Sequence, residues 1–412
     1  MRRLIYLEMK RVITTRSVWV MLAVIILLSA VLAYFPITFV KTEQIDEQGN
    51  ITLLQKKEAV DCIKEKEKEI NGEITEEKIR KAILVFQECY REYGSVFPPD
   101  MPAEEYIRRI EPIYPVLEMA AIVLAPKGVS LYTMTDADIA PGDAARFYEA
   151  FREKLSMKGE TDAEQKKIRE LSQNIKMPFT YVPGCDFASF EYLAMYMLLL
   201  MLVFAVVISP IFSAEYQTGA DSILRCTRHG RAHLAFAKII TALLIFAAVF
   251  AVGTGIFLLI TNLAFGTEGL KASMQTVWGV FLIPAFTAGQ VQTALAAEQF
   301  LSVLATVSCI LFLSASCKNA QDSLKASMLI SLLPMIIGMI SSENLARIIR
   351  CILPSGGIGL SDSFLFELLG TNFVHVGGCV IWTPYLVIGA AAVEIPLFLF
   401  LTVRVYCRRE SM

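Results

Sequence analysis

The sequence is short of the side chains on which most enzyme chemistry rests. Its 412 residues include three histidines, His229, His233 and His375, and none stands beside a cysteine cluster. The nine cysteines form no Cys-x-x-Cys pair, the spacing that a structural zinc site favours, so no metal is expected. There is no Gly-x-x-x-x-Gly-Lys-Ser/Thr loop, no Gly-x-Ser-x-Gly elbow and no His-Glu-x-x-His helix. The chain is therefore not expected to catalyse a reaction, to bind ATP through a P-loop or to carry a cofactor of its own. Charge is also scarce, at 19% of residues, and it is segregated. Of 40 acidic and 38 basic residues, 28 and 21 fall between Lys41 and Phe187, a net of −7 against +5 for the rest.

What fills the remainder is apolar. Hydrophobic residues make up 55% of the chain and the mean hydropathy is +0.53, a composition that points to the bilayer. A helix needs roughly 20 apolar residues to cross, and backbone groups cannot stay unpaired in lipid. Six runs qualify: Val18–Val40, about Phe190–Phe212, Leu234–Leu263, Phe300–Ser316, Ser323–Ile340 and Val380–Val403. The stretch Val277–Ala288 is too short and carries Pro284, so it reads as a re-entrant or interfacial segment. The first run is longer than a signal-peptide core of roughly 7–15 residues, and no small-residue cleavage site follows, so it reads as a retained span.

Lysine and arginine in the short loops set the orientation. With a cytoplasmic N-terminus, fourteen bases lie inside against three, Lys271, Arg347 and Arg350, outside. Both termini are then cytoplasmic. The expected fold is mainly α: a polytopic membrane protein with about six transmembrane helices and a large, mainly helical extracytoplasmic domain between the first two. Its parts are an amphipathic cytoplasmic helix (1–16), the first span (17–40), the extracytoplasmic domain (41–187), and the other five spans (188–412) with a cytoplasmic segment at 213–233.

In the 41–187 insert, Leu53–Ile70 and Thr75–Tyr93 read as helices, the second with apolar residues at Ile79, Ile83, Phe86 and Tyr90. Pro141 opens another helix over Asp143–Met157, and Thr161 with Glu164 forms a capping box for Asp162–Asn174. The insert is either a substrate-handling or partner-binding domain or a passive spacer. Cys62 and Cys89 within it, and Cys351 and Cys379 later, are candidate disulfide pairs or free thiols.

Three features stand out from this background. Met1–Arg16 can lie on the inner surface, with Leu4, Ile5, Leu7 and Val12 toward lipid and Arg2, Arg3, Lys10 and Arg11 toward headgroups. The segment from Ser213 to Arg231 mixes acids, Gly219 and several bases, and reads either as an ordinary basic loop or as a helix presented to a cytoplasmic partner. In the second case Glu215 sits beneath the membrane, within reach of a base on the N-terminal helix. Third, Glu394 lies well inside the sixth run, where an acid costs a few kcal/mol, so it faces substrate or cation, serves as a protonatable group, or pairs with a packing neighbour. Ser355-Gly356-Gly357 after Leu353-Pro354 reads as a turn in an outside loop.

Taken in order, these elements resemble the membrane subunits of ATP-binding-cassette exporters of the type-2 permease class. The resemblance is carried by Arg2–Arg16 before the first span and by Phe212-Ser-Ala-Glu215, Gly219, Leu224, Arg228-His-Gly-Arg231 and Lys238 after the second. Ser316-Cys-Lys-Asn-Ala-Gln321 and Leu353-Pro354 add to it. It covers about two-thirds of the chain. In place of a usual proline in the basic turn stands Cys226-Thr227. The resemblance implies that two permease subunits, alike or different, pair in the bilayer and that separate ABC ATPase subunits dock beneath and bind ATP and magnesium. Glu8, Arg11, Glu215, Gly219, Arg225, Arg228 and Arg231 would couple ATPase closure to the spans. Nucleic acid is not an expected partner. The cargo, whether peptide, lipid, drug or ion, stays open. Two other readings remain beside it: a non-transporting receptor or immunity protein that binds an extracellular peptide through 41–187, and a secondary transporter relying on Glu394, against which the absence of internal symmetry counts.

Overall fold

A computed structural model describes residues 2–46, 49–226 and 230–408. Among these, six helices are long and apolar enough to cross a membrane: Val18–Phe39, Ala188–Thr218, Ala232–Phe265, Ala288–Ser316, Ala320–Ile340 and Thr383–Arg408. They are numbered here as spans one to six. The fourth is the most enclosed and packs along the sixth, the second and the fifth. Val277–Ala288 is not a span. After the short helix Met274–Val277 it turns back, with Gln275 Nε2 donating to the carbonyls of Leu282 and Pro284. Phe281 then stacks on Phe151 of the insert.

Span four begins at Ala288 rather than Phe300. Its first turns carry Gln290, Gln292, Thr293, Glu298 and Gln299, which dilute the hydropathy while leaving the helix intact. Thr287 and Gln290 form the capping box that starts it. Span two breaks at Ser209-Pro210, since proline supplies no N–H to the preceding turn, and resumes as the helix Pro210–Thr218.

The insert is mainly helical, with small sheets at its edges. Glu76–Tyr93 matches its sequence pattern. Thr75 caps it by accepting from Lys78 N, and Gly94 ends it in the left-handed conformation at φ +75°. Thr161 and Glu164 cap Asp162–Ser172 reciprocally. The expected helix over Leu53–Ile70 is corrected at its start. Ile51–Gln55 is a strand paired antiparallel with Lys41–Ile45, and the helix is Lys56–Lys66. An aliphatic and β-branched run, Ile-Thr-Leu-Leu, favours the strand there. Likewise Pro141–Arg146 is a 3₁₀ turn, and the α-helix is Phe147–Ser156. Phe86, Phe147, Phe151 and Phe179 form the fully buried centre of the insert.

Two further departures bear on function. The glycine-rich segment after Leu353-Pro354 is not an exposed turn. Pro354 to Gly359 are buried between the helices Asn344–Cys351 and Phe364–Leu369, so this hairpin re-enters the bundle. Side chains of span four bind its backbone, Thr306 Oγ1 donating to Pro354 O at 3.0 Å and Gln299 Nε2 to Gly357 O at 3.0 Å, and its own Ser355 Oγ donates to the backbone carbonyl of Ser331 in span five. Neither candidate disulfide is formed. Cys62 is half-buried and Cys89 turns into the insert's core beside Phe86, while Cys351 is buried in the bundle and Cys379 is exposed on the hairpin Phe373–Trp382. All four are free thiols.

Candidate coupling site

The N-terminal helix Arg2–Ile13 buries none of its residues fully. It lies on span three, with Ile5 O close to Thr241 Oγ1, and turns Glu8 inward while Tyr6 and Leu7 stay exposed. The sequence-expected lipid face is thus divided: Leu4 and Ile5 are half-buried on the bundle side, and Leu7 is free to meet lipid.

Four charges of alternating sign meet under this helix. Arg11 Nη1 donates to Glu215 Oε1, and Lys238 Nζ donates to the same oxygen at 2.5 Å. Glu8 lies 2.9 Å from Arg11 and 3.8 Å from Lys238. The Lys238 side chain is wholly buried, and it also donates to Ile211 O and lies over the Phe212 ring. Glu215 Oε2 has no partner among the described residues. The four formal charges cancel, which is the condition on which such groups can leave water. A cavity of about 290 Å³ beside them is walled by Val18, Met21, Phe204 and Ile245. Three elements distant in sequence, the N-terminal helix, Pro210–Thr218 and span three, are therefore tied by one carboxylate.

Pro210–Thr218 is tied equally to the other side of the bundle. The Ser209 carbonyl accepts hydroxyls from Ser213, Ser314 of span four at 2.6 Å and Ser323 of span five at 2.8 Å. Ser314 Oγ in turn accepts from Phe212 N and Ser213 N. Within Ser316–Gln321, Asn319 N-caps span five through Asp322 N, and Ala320 N faces Gln217 Oε1.

Beyond the helix, Gly219 takes φ +74°, a left-handed turn that a side chain would strain. It starts the short helix Ala220–Arg225, from which Ile223 projects at 73% exposure. Arg231 is exposed and Arg225 ends the short helix, whereas Arg228 lies outside the described residues. The site residues read from the sequence thus separate into two sets. Glu8, Arg11 and Glu215 converge, and Glu215 is buried rather than offered to a partner. Gly219 and Arg231 belong to the outer turn. Lys238, which the sequence presented as a cytoplasmic base and as part of the resemblance but not as a site residue, is the centre of the cluster. Glu394 does not join it. It sits half-buried on span six, with Oε2 unpartnered among the described residues, on the wall of an open groove with Ile352, Tyr385 and Val393.

A surface helix, a buried charge cluster and an exposed turn are thus joined to a bundle of six candidate spans. A family model described as ABC-2 family transporter protein matches residues 3–351. The chain belongs to this ABC-2 family. The match runs through the 41–187 insert, which the resemblance read from the sequence left aside. No curated protein and no solved structure matches the chain. An ABC-2 permease is the transmembrane component and not the ATPase, and the family implies partnership with an ABC ATPase subunit.

Proposed function

We propose that this ABC-2 permease is the membrane subunit of an ATP-driven exporter in a bacterial cytoplasmic membrane. In this reading both termini and the 219–231 turn are cytoplasmic, the 41–187 insert is extracytoplasmic, and a second permease subunit, identical or different, completes the pathway. ATP and magnesium are bound by the partner ATPase. The observation that supports it best is the junction at Glu215. A push on the exposed turn around Ile223 is passed through Pro210–Thr218 to the N-terminal helix by Arg11, to span three by Lys238, and to spans four and five through Ser209. Rigid, mutually bonded elements transmit displacement where a loose basic loop would absorb it.

Affinity purification of the tagged full chain from its native membrane, with mass spectrometry of what accompanies it, tests this reading. A P-loop ATPase should be recovered with the wild type and lost with Ile223→Asp, a surface change that leaves the melting profile alone. Recovery of the chain free of any ATPase, under conditions that keep other membrane complexes whole, would reject the exporter assignment.

A further inference from the structure

Glu298 has no place in the coupling site, yet it is as enclosed as the ion-paired Glu367 and has no cationic partner among the described residues. It lies three turns into span four at 3% exposure. Its Oε1 accepts from Ser302 Oγ one turn on, and its Oε2 has no partner. No cation pairs with it among the described residues. The chargeable groups on the elements around it are engaged or directed elsewhere. Arg350 is bonded to Glu367 beside the re-entrant hairpin, the Asp322 carboxylate accepts from Asn319 Nδ2 at the start of span five, Tyr196 of span two lies toward Gly253, and Glu394 occupies the outer groove of span six.

What covers the carboxyl is Gly357. A methyl group added there would overlap Glu298 Oε1 and stand 2.8 Å from Ser302 Oγ, so a larger residue would push aside either the carboxyl or the loop. Gln299 and Thr306 hold that backbone from the same helix, and Gln299 Oε1 is a second buried acceptor without a partner among the described residues. An ionised carboxylate at this depth needs a counter-charge or solvent, and among the described residues no cation pairs with it.

We propose that Glu298 is a proton-binding site, occupied while the re-entrant loop 352–363 is seated and emptied when the loop withdraws. The step is a simple ionisation: the carboxylic O–H bond breaks, the electron pair stays on Oε2, and the proton passes to water that enters behind the departing Gly357. Because proton binding and loop seating stabilise each other, each shifts the other by the same factor. The permease thereby gains a sensitivity to protons near the re-entrant hairpin that nucleotide does not supply.

The test uses the purified full chain in lipid nanodiscs without nucleotide or partner, so it is separable from ATPase recovery. Hydrogen exchange of the amides in 352–363 is followed across pH and corrected for intrinsic chemical exchange. Wild type should lose protection about tenfold as pH rises, the linkage expected for one pKa unit. Glu298→Gln should hold its low-pH protection throughout. Glu298→Asp, the variant to use if glutamine disturbs folding, should keep a pH dependence with a displaced midpoint. Infrared spectra should show a protonated carboxyl band that survives Glu394→Gln and disappears in Glu298→Gln. Identical pH profiles for wild type and Glu298→Gln would overturn the proposal, as would protection set by sodium concentration rather than by pH.

Discussion

Lys238 Nζ and Glu215 Oε1 meet at 2.5 Å with the lysine side chain wholly out of solvent, across the chain reversal that separates spans two and three. Breaking a buried pair by removing one partner leaves an uncompensated charge and costs about 3–5 kcal/mol, whereas removing both is far milder. Lys238→Met should therefore lower the apparent melting temperature of the detergent-solubilised chain sharply. Glu215→Gln combined with Lys238→Met should recover most of the loss. Additive losses in the double variant would show that the two side chains do not act as a pair.

Glu67 of the insert gives stability a pH slope. Burial, only partly offset by the hydrogen bond from Tyr181, raises its carboxyl from 4.5 to about 7. Between those values the folded chain holds a proton that the unfolded chain has released. Stability is then highest below about 4.5, falls as pH rises toward about 7 and levels off above it. The span of the fall is on the order of 3 kcal/mol. Thermal melts of wild type and Glu67→Gln across this range should diverge, with the glutamine variant lacking this component. Parallel curves would remove Glu67 as the source.

Ser314 stitches span four to the break in span two through three bonds, to Ser209 O, Phe212 N and Ser213 N. Ser314→Ala should destabilise the chain by about 1–3 kcal/mol, the range for leaving buried backbone groups unsatisfied. Its clearest sign would be faster hydrogen exchange in Pro210–Thr218 with little change in the insert. An equal change in both would mean a global effect and no local stitch.

The six spans were legible in the sequence because lipid demands continuous apolar helices, and such runs are hard to counterfeit. Pairing of Glu215 with a base on the N-terminal helix was legible in kind, since a lone acid below a basic helix has few alternatives. Lys238 was not, because a lysine near a span end satisfies the positive-inside pattern whether it is buried or not. Glu298 escaped for a related reason: polar residues between Ala288 and Phe300 lowered the hydropathy, and the Thr287–Gln290 cap was the signal that would have extended the span. The re-entrant loop escaped because Pro-Ser-Gly-Gly is turn chemistry at the surface and also the only chemistry small enough to enter a packed bundle. Strands at Phe373–Val376 and Cys379–Trp382 were missed although Gly377-Gly378, both at positive φ, is a hairpin turn.

The re-entrant hairpin is also braced from its flank, and this brace should respond differently from Glu298. Arg350, at the end of Asn344–Cys351, donates to Glu367 of Phe364–Leu369 and, at 2.8 Å, to Asp362 O, and Thr383 at the start of span six donates to the other oxygen of Glu367. Both charged side chains are nearly inaccessible, at 5% and 3%. Glu367→Gln preserves the shape but strands the guanidinium, which cannot shed its proton, so a loss of about 3–5 kcal/mol is expected. Since arginine stays charged throughout the accessible range, the loosening of 352–363 in this variant should raise hydrogen exchange by a similar factor at low and high pH. The loosening assigned to Glu298 grows as pH rises. A Glu367→Gln profile that is itself strongly pH-dependent would mean that the flank brace and the carboxyl beneath Gly357 titrate as one unit, and that the proton cannot be assigned to Glu298 alone.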